Sequence, residues 1–237
     1  MLKYIKIECI GDRHLKIIAR IRTGFNEKFG IPRQSGLIEG AVGRIVFEKD
    51  YRIDEALFGI EGYSHLWIIW NFSESERERW SPTVRPPRLG GNKRMGVFAT
   101  RSPYRPNPIG LSCVKLIAVE KTKKEGTTLL VSGVDMLDGS PIYDIKPYLA
   151  FTDAHPEATG GFSDSVREKS LKVSITDSQR QALADEADII TAMLENDPHP
   201  HYKNDPDREY GMSYKDFEIK FKIDRDNLTV TEIKKKR

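Results

Sequence analysis

The chain has 237 residues, of which 38% are hydrophobic and 31% charged, and its formal net charge is +3. This composition is typical of a globular protein with one large domain, or one large and one small domain, and enough apolar side chains for a core of its own. It argues against a membrane protein, since no run approaches the roughly 20 consecutive apolar residues that a bilayer requires, and two cysteines are too few for a disulfide scaffold.

The cellular location follows from the N-terminus and the cysteines. The first ten residues alternate apolar with charged side chains and lack the apolar block of a signal peptide. Cys9 and Cys113 both stand in strand-like apolar runs, and we interpret them as free thiols in a reducing compartment. The sequence therefore predicts a cytoplasmic protein without a membrane association.

Alternating apolar and polar residues predict β-strands through the first 150 residues, joined by loops rich in glycine and proline. The candidate strands are residues 4–10, 14–21, 41–47, 65–72, 95–100, 111–119, 129–136 and 141–145. The run 65–72 is apolar on both faces, so we expect burial on both sides, and a short helix fits residues 53–57. Asp138-Gly139 predicts a two-residue hairpin turn between the last two strands. Many short strands with almost no helical period favour an antiparallel barrel or sandwich.

The pattern changes after about residue 153. Thr176 and Gln179 have the spacing of a capping box, and apolar side chains from Leu183 to Leu194 follow on one face, so a helix is predicted there. Residues 196–208 have the composition of a linker, and residues 217–223 and 228–233 fit two strands joined by a turn. We therefore predict a β-barrel domain over residues 1–160 and a small α+β domain over residues 161–237.

Charge is concentrated in one part of the chain. From Arg79 to Lys115 there are eight basic residues and no acidic one, whereas residues 153–209 carry thirteen acidic and six basic residues. A window that basic produces a local positive field that attracts a polyanion. Because the window is also rich in proline, glycine and aromatic residues, we interpret it as more than a solubilising surface.

Several common catalytic and nucleotide-binding patterns are absent from the sequence. It contains no G-x-G-x-x-G, no phosphate-binding G-x-x-x-x-G-K-[ST], no G-x-S-x-G and no H-E-x-x-H. His155, His199 and His201 are weak metal ligands as a group, because proline separates the last two and no thiol is nearby. We predict no metal site, and any cofactor must be held outside the common nucleotide folds.

Four segments are too specific for a generic β-protein. They are residues 28–37 (KFGIPRQSGL), 59–67 (GIEGYSHLW), 82–110 (PTVRPPRLGGNKRMGVFATRSPYRPNPIG) and 134–149 (VDMLDGSPIYDIKPYL). Over residues 15–160, and more loosely at 202–214, the chain resembles the TrmO-type tRNA methyltransferases. That family transfers a methyl group from S-adenosylmethionine to N6 of the threonylcarbamoyl-adenosine 3′-adjacent to the anticodon. The resemblance implies a β-barrel distinct from Rossmann-like methyltransferases, acting as a homodimer.

The resemblance also implies a cofactor site made of separate segments. Its candidate residues are Ser35, Gly36, Leu37, Ser73, Glu74, Arg101, Leu111, Asp138, Gly139, Ser140 and Pro141. Gly36 offers a backbone without a side chain that can approach a ligand closely. Arg101 can pair with the cofactor carboxylate, which we favour, or with a tRNA phosphate. Ser73 stands where the family commonly has histidine, and it lacks the ring and the second nitrogen of an imidazole.

Substrate and proton-acceptor candidates complete the prediction. The tRNA candidates are Arg85, Arg88, Lys93, Arg94, Tyr104 and Arg105. Bases of a single-stranded loop can stack on aromatic rings, so Tyr104 and Trp80 are candidate stacking partners or else core residues. The threonylcarbamoyl group makes the N6–H more acidic and its lone pair less available, so a proton acceptor would help. Asp138 or Asp144 is our candidate, although either could equally be a structural residue.

Two other functions remain open from the sequence. The first is a non-catalytic RNA-binding module, which would explain the basic window but leaves the Ser35 and Asp138 segments without a role. The second is a methyltransferase of the same barrel fold that acts on a small molecule or a protein. The acid-free basic window favours RNA over that second alternative.

Overall fold

The structure is a computed structural model that describes residues 15–75, 79–86, 89, 93–166, 170–197, 205 and 207–236. Over these residues the chain forms twelve strands and three α-helices. The strands are β1 Ala19–Thr23, β2 Val42–Phe47, β3 His65–Asn71, β4 Thr83–Val84, β5 Met95–Gly96, β6 Ile109–Thr122, β7 Gly126–Ser132, β8 Pro141–Pro147, β9 Lys172–Ser174, β10 Glu209–Tyr214, β11 Phe217–Asp224 and β12 Asn227–Lys235. The helices are α1 Ala150–Asp153, α2 Asp177–Leu183 and α3 Ala187–Glu195. The strand predicted at residues 4–10 lies outside the described residues.

Six strands close into an antiparallel barrel in the order β1-β2-β7-β6-β3-β8. The alternation that predicted these strands separates their faces: Leu66, Ile68 and Trp70 of β3 point into the core, with at most 4% exposure. Closure satisfies the strand edges that an open sheet would leave unpaired. The predicted mainly β, barrel-type fold is thereby confirmed. No described helix has the length and apolar character needed to cross a bilayer.

The outer face of β3 differs from the prediction. Its residues are only partly buried, because a short segment after β8 covers them instead of a second layer of structure. Trp67 donates its indole N–H to the Asp153 carboxylate at 2.8 Å, and its ring lies 5.7 Å from that of Tyr148. Burial on both sides of β3 was therefore too strong an expectation. The short helix expected at residues 53–57 is a 3₁₀ turn, Asp54–Leu57.

The predicted hairpin between the last two barrel strands is wrong. The strand β7 pairs with β2 and β6, whereas β8 pairs with β1 and β3, so the two are not neighbours. Residues 133–140 instead cross one end of the barrel as a loop. Asp138 and Gly139 do form a turn, but the partner of that turn is β1, since the Gly139 N–H donates to the Ile21 carbonyl at 2.8 Å.

The C-terminal part is a four-stranded sheet, β10-β11-β12-β9, in which β9 runs parallel to β12 and the other pairs are antiparallel. The capping box is present: the Thr176 hydroxyl accepts from the backbone of Gln179, whose side chain accepts from Thr176 N–H. One predicted helix is in fact two, because the α2 backbone breaks at Ala184, where φ is 48°, and a 3₁₀ turn precedes α3.

The C-terminal sheet and the barrel share one hydrophobic core. The contact lies at residues 24–40, between β1 and β2. A Cβ atom on Gly24 would stand 2.6 Å from the Tyr214 ring, so glycine is what lets that ring approach the chain. The Lys215 N–H donates to the Gly24 carbonyl at 2.7 Å, and the Ser213 N–H donates to the Glu27 carboxylate at 2.6 Å. The C-terminal part thus supports the segment that contains Ser35.

Candidate active site

At one end of the barrel, the loop that contains Ser35 hydrogen-bonds the part of β6 that has no β7 partner. The strand β6 starts at Ile109, but its pairing with β7 begins only at Lys115. The earlier part of β6 pairs with β3 but has no β7 partner on its other side, and there the Ser35 hydroxyl accepts a hydrogen bond from the Cys113 N–H at 3.1 Å. The Gly36 N–H donates to the Gly133 carbonyl at 2.9 Å. The Ser35 loop is therefore held between β6 and the loop over residues 133–140.

Asp135 lies beneath the Ser35 loop, and sequence reasoning missed it. Its half-buried carboxylate accepts a hydrogen bond from the Ser112 hydroxyl at 2.6 Å. Burial raises the pKa of Asp135 to about 6, although the Ser112 hydroxyl, the nearby backbone N–H groups of Asp135 and Ser35 and the positive charge of Arg101 act in the opposite direction. The available signal was the one charged residue inside the mostly apolar run 129–136.

Trp70 extends this hydrogen-bonded chain into the core. Its indole N–H donates to the Ser112 hydroxyl at 2.9 Å, and Ser112 in turn donates to Asp135. A Cβ atom on Gly110 would lie 2.3 Å from the Trp70 ring. Glycine at position 110 is therefore required for the indole to reach Ser112.

The Asp138 turn is hydrogen-bonded to the C-terminal end of β1. The Asp138 carboxylate accepts from the Thr23 N–H at 2.9 Å and lies 3.5 Å from the Arg22 guanidinium. Gly139 has a φ of +78°, a conformation that glycine adopts without strain, and its carbonyl accepts from Arg20 at 3.1 Å. The turn continues through Ser140, which is 3% exposed, and Pro141, the first residue of β8.

An open cleft lies beside the Ser35 loop. Its volume is about 1310 Å³, and the described residues that line it include five arginines, four aromatic residues and no acidic residue. The arginines are Arg33, Arg85, Arg94, Arg101 and Arg105, and the aromatic residues are Trp80, Phe98, Tyr104 and Phe162. The concentration of positive charge makes this cleft suited to a polyanion.

Arg101 links the cleft to the Ser35 loop. Its guanidinium lines the cleft and donates a hydrogen bond to the side-chain carbonyl of Gln34. Arg33, on the other side of Gln34, donates to the Asp197 carbonyl at 2.9 Å. Burial lowers the pKa of Arg33, while the negative charge of Asp197 opposes that shift. The two arginines flank the start of the loop.

The structure places the other predicted site residues as follows. Arg85, Arg94, Tyr104 and Arg105 line the cleft, Lys93 is exposed and is not among the lining residues, and Arg88 lies outside the described residues. Ser73 and Glu74 form a 3₁₀ turn after β3 whose third residue, Ser75, reaches the cleft; Lys28 donates to the Glu74 carbonyl. Leu37 and Leu111 are 38% and 58% exposed near the Ser35 loop.

Asp144 stands apart from this group. It pairs with Ile69 on the outward side of β3 and β8, and its carboxylate lies 3.0 Å from the Lys146 ammonium. Within the part of the chain that the structure describes, no group of three or more potential ligands could hold a metal ion. His199 and His201 lie outside that part.

These features define a β-barrel protein in which a glycine-containing loop lies next to an arginine-lined cleft, and these two features form its candidate binding site. Residues 20–154 match the tRNA-methyltransferase O N-terminal domain, and residues 163–236 match the TrmO C-terminal domain. The chain belongs to the TrmO family.

Individual relatives cover most of the chain. It is 40% identical over 215 residues to the tRNA (adenine(37)-N6)-methyltransferase of Escherichia coli K12, a match that covers 87% of this chain and 91% of that protein. It is 37% identical over 220 residues to the putative S-adenosylmethionine-dependent methyltransferase RcsF of Pseudomonas aeruginosa, covering 89% and 93% of the two chains. The crystal structure of TrmO from Pseudomonas aeruginosa superposes with a TM-score of 0.75 at 31% identity, covering 94% of this chain and all of that one.

Proposed function

We propose that this protein is a methyltransferase that uses S-adenosylmethionine to methylate N6 of the threonylcarbamoyl-adenosine 3′-adjacent to the anticodon of tRNA. One observation carries the proposal: Arg101 lines the arginine-rich cleft and also donates a hydrogen bond to the side chain of Gln34, the residue before Ser35. A cleft suited to a nucleic acid and the Ser35 loop therefore meet at this arginine. The relative named as a tRNA (adenine(37)-N6)-methyltransferase supports the tRNA substrate, and the relative named as an S-adenosylmethionine-dependent methyltransferase supports the cofactor.

The residues around the Ser35 loop fit S-adenosylmethionine. A Cβ atom placed on Gly36, where φ is +79°, would meet nothing within 4 Å, so the glycine backbone borders open space. Leu37 and Leu111 supply exposed apolar surface for the adenosine end, and the Arg101 guanidinium suits the amino-acid carboxylate. Residues two apart on a strand direct their backbone N–H and carbonyl groups to the same side. The Cys113 N–H points toward the Ser35 loop, so the N–H and carbonyl of Leu111 face that side as well.

When bound, S-adenosylmethionine supplies a methyl group activated by its sulfonium. This chain's residues contribute alignment and exclusion of water, which account for much of the rate enhancement in such a transfer. Ser73, Glu74, Asp138, Gly139, Ser140 and Pro141 complete the proposed cofactor site. The role of Asp138 or Asp144 as proton acceptor stays a prediction; the Asp138 carboxylate already bonds the Thr23 N–H, and Asp144 already pairs with Lys146.

The cleft is proposed to receive the anticodon loop. Its arginines would contact phosphates, together with Lys93 and Arg88, and a guanidinium would also suit the carboxylate of the threonylcarbamoyl group. Trp80 and Phe98 form a pair of exposed rings with centroids 6.1 Å apart, and Tyr104 lies in the same cleft. Unstacked bases of a single-stranded loop can stack on such rings.

We further propose a homodimer located in the cytoplasm, with residues 1–160 as the catalytic domain and 161–237 as a C-terminal domain. Exposed apolar side chains support self-association, among them Ile117 at 49% and Phe151 at 84% exposure. The free thiol of Cys113 and a tRNA substrate both suit the cytoplasm. Light scattering after size exclusion tests the dimer, and a monomer at micromolar concentration would rule it out.

The decisive experiment is mass analysis of tRNA nucleosides from cells with and without this protein. Methylated threonylcarbamoyl-adenosine should disappear with the gene and return with it. Calorimetric titration with S-adenosylmethionine runs in parallel. No binding would favour an RNA-binding module, whereas binding with unchanged tRNA nucleosides would favour a methyltransferase with another substrate. Reversing Lys93 and Arg94 to glutamate should weaken tRNA binding and lower its dependence on salt.

A further inference from the structure

One arginine of the cleft is held in place by the loop on which it stands. The Arg105 guanidinium donates through Nη1 to the backbone carbonyls of Thr100 at 3.1 Å and Ser102 at 3.5 Å. The loop is itself fixed, because the Thr100 hydroxyl donates to the Val97 carbonyl at 2.9 Å. Arg105 is therefore oriented before any ligand binds.

The rest of that guanidinium is available to the cleft. A guanidinium carries its N–H groups in a planar fork, and the two carbonyl bonds use only the Nη1 atom of Arg105. Arg105 lines the cleft, is partly buried and forms no ion pair with any residue that the structure describes. An arginine anchored in this way and facing open space suits a planar anion that accepts two parallel hydrogen bonds, as a carboxylate does.

Arg101, a neighbouring arginine of the same loop, is held on the cofactor side. Its guanidinium donates to the side chain of Gln34, the residue before Ser35. Arg105 is attached to the carbonyl of Thr100, which directly precedes Arg101 in the chain. The loop thus presents two arginines beside each other, one bonded to the segment that contains Ser35 and one anchored at the cleft.

We propose that Arg105 recognises the substituent of the substrate: its guanidinium binds the carboxylate of the threonylcarbamoyl group, while Arg101 binds the carboxylate of S-adenosylmethionine. The inference rests on the proposed function, whose reaction brings these two carboxylates to one site. The substrate carboxylate is the negative charge that distinguishes threonylcarbamoyl-adenosine from unmodified adenosine, and only a short chain of atoms separates it from N6. Arg105 thereby selects tRNA that already carries the substituent.

Two other arginines of the cleft fit phosphates instead. Arg85 and Arg94 are exposed, and neither has a hydrogen-bond or ion-pair partner within the described part of the chain. Phosphates occur along the whole RNA backbone, so contacts from unanchored cations contribute affinity without distinguishing a modified base. Arg94 therefore provides a matched control for Arg105, because it carries the same charge and lines the same cleft.

The test compares two anticodon stem-loop RNAs that differ in one group. One carries threonylcarbamoyl-adenosine, and in the other the carboxylate of that substituent is replaced by a carboxamide of similar shape without charge. For the unaltered protein, kcat/KM should be about a hundredfold higher on the carboxylate RNA, as expected for a bidentate charge-assisted contact. In Arg105→Gln, the value for the carboxylate RNA should fall about a hundredfold, and that for the carboxamide RNA should change less than about threefold.

Three further variants keep the result interpretable. Arg94→Gln should lower both values by the same factor and reduce the salt dependence of binding, so the preference for the carboxylate persists. Arg101→Gln should raise the KM for S-adenosylmethionine and also leave that preference intact. Arg105→Lys keeps the charge but loses the planar fork, so the preference should fall to about tenfold, and this arm decides the question if Arg105→Gln does not fold.

The outcomes separate this inference from the proposed function. Equal values for the two RNAs in the unaltered protein, or a full preference in Arg105→Gln or Arg105→Lys, overturn the role of Arg105. A preference lost in Arg94→Gln or Arg101→Gln overturns it as well, because another arginine then binds the carboxylate. If the unaltered protein methylates neither RNA, the proposed function fails, while the affinities of the two RNAs, measured by fluorescence anisotropy, still decide whether Arg105 binds the carboxylate.

Discussion

Two carboxylates of this barrel make nearly the same hydrogen bond in different surroundings. Asp54 accepts from the Thr127 hydroxyl and Asp135 from the Ser112 hydroxyl, each at 2.6 Å. The pKa of Asp54 is lowered, chiefly by its hydrogen bond with Lys121, whereas burial raises the pKa of Asp135 to about 6. The hydrogen bond to a hydroxyl does not decide the direction of the shift; exposure to water and the position of the nearest cation do.

Disrupting the packing of Trp70, which holds Ser112 next to Asp135, should have the largest effect on stability. In Gly110→Ala the new methyl group would collide with the Trp70 ring, 2.3 Å away, and the indole would lose its bond to Ser112. We expect the free energy of unfolding to fall by about 3 kcal/mol, measured by chemical denaturation. Gly96→Ala is the control, since a Cβ atom there meets nothing within 4 Å. Equal losses in both variants would contradict the packing argument.

The pH dependence of stability should separate Asp135 from Asp54. The folded pKa of Asp135 is raised from 3.8 to about 6, so the folded state binds its proton more tightly than the unfolded chain does. The stability contributed by this group is complete below about pH 4 and is lost as the pH rises through about 6. Relative to Asp135→Asn, the unaltered protein should therefore gain up to about 3 kcal/mol as the pH falls through that window.

Denaturation curves of the two proteins at a series of pH values measure this difference. Asp54→Asn should show no gain for the unaltered protein on acidification, because the pKa of Asp54 is shifted in the opposite direction. A flat difference curve for Asp135→Asn would mean that its carboxylate ionises as an exposed one does.

Removing the hydroxyl partner should cost more at the buried site than at the exposed one. Ser112→Ala leaves the buried Trp70 indole N–H without its acceptor, and we expect a loss of about 2 kcal/mol in the free energy of unfolding. Thr127→Ala removes an exposed donor, for which about 0.5 kcal/mol or less is expected. Similar losses from the two substitutions would show that burial does not govern the cost.

The smallest effects should come from the cations. The charge of Arg101 lowers the pKa of Asp135, so Arg101→Gln should raise that pKa, by less than about one unit, because other groups hold the carboxylate as well. The carboxyl carbon shift of Asp135 in NMR spectra measures the change. Lys121→Gln breaks an exposed pair with Asp54 and should leave the free energy of unfolding almost unchanged. A downward shift of the Asp135 pKa in Arg101→Gln would contradict the assignment.

Local patterns predicted the elements better than their partners. Alternation located most of the barrel strands, and the Thr176 capping box located the start of α2. The Asp138-Gly139 signal correctly indicated a turn, but a turn signal carries no information about which strands it brings together. Barrel closure depends on pairings between residues far apart in sequence, such as Ala19 with Ile142, and these no local window contains.

The candidate site was predictable where one segment carried it. The acid-free basic window predicted a cationic surface, and Arg85, Arg94 and Arg105 do line one cleft. Arg33 comes from a different segment, and only the fold brings it there. Asp135 is the one charged residue of the run 129–136, but its surroundings could not be predicted from that run, because the Ser35 loop that packs against β6 comes from a distant part of the sequence.

The core shared by the two parts has a practical consequence for anyone who divides the chain. Phe29 stacks on Phe221 with ring centroids 6.4 Å apart, and Phe25 meets the Tyr214 ring edge-on at 5.4 Å. A fragment cut after the barrel would lose Tyr214 and Phe221, so Phe25 and Phe29 would be exposed to water and the segment that leads to Ser35 would lose its support. The C-terminal sheet thus supports the end of the barrel that carries the candidate site, and the two parts should be expressed together.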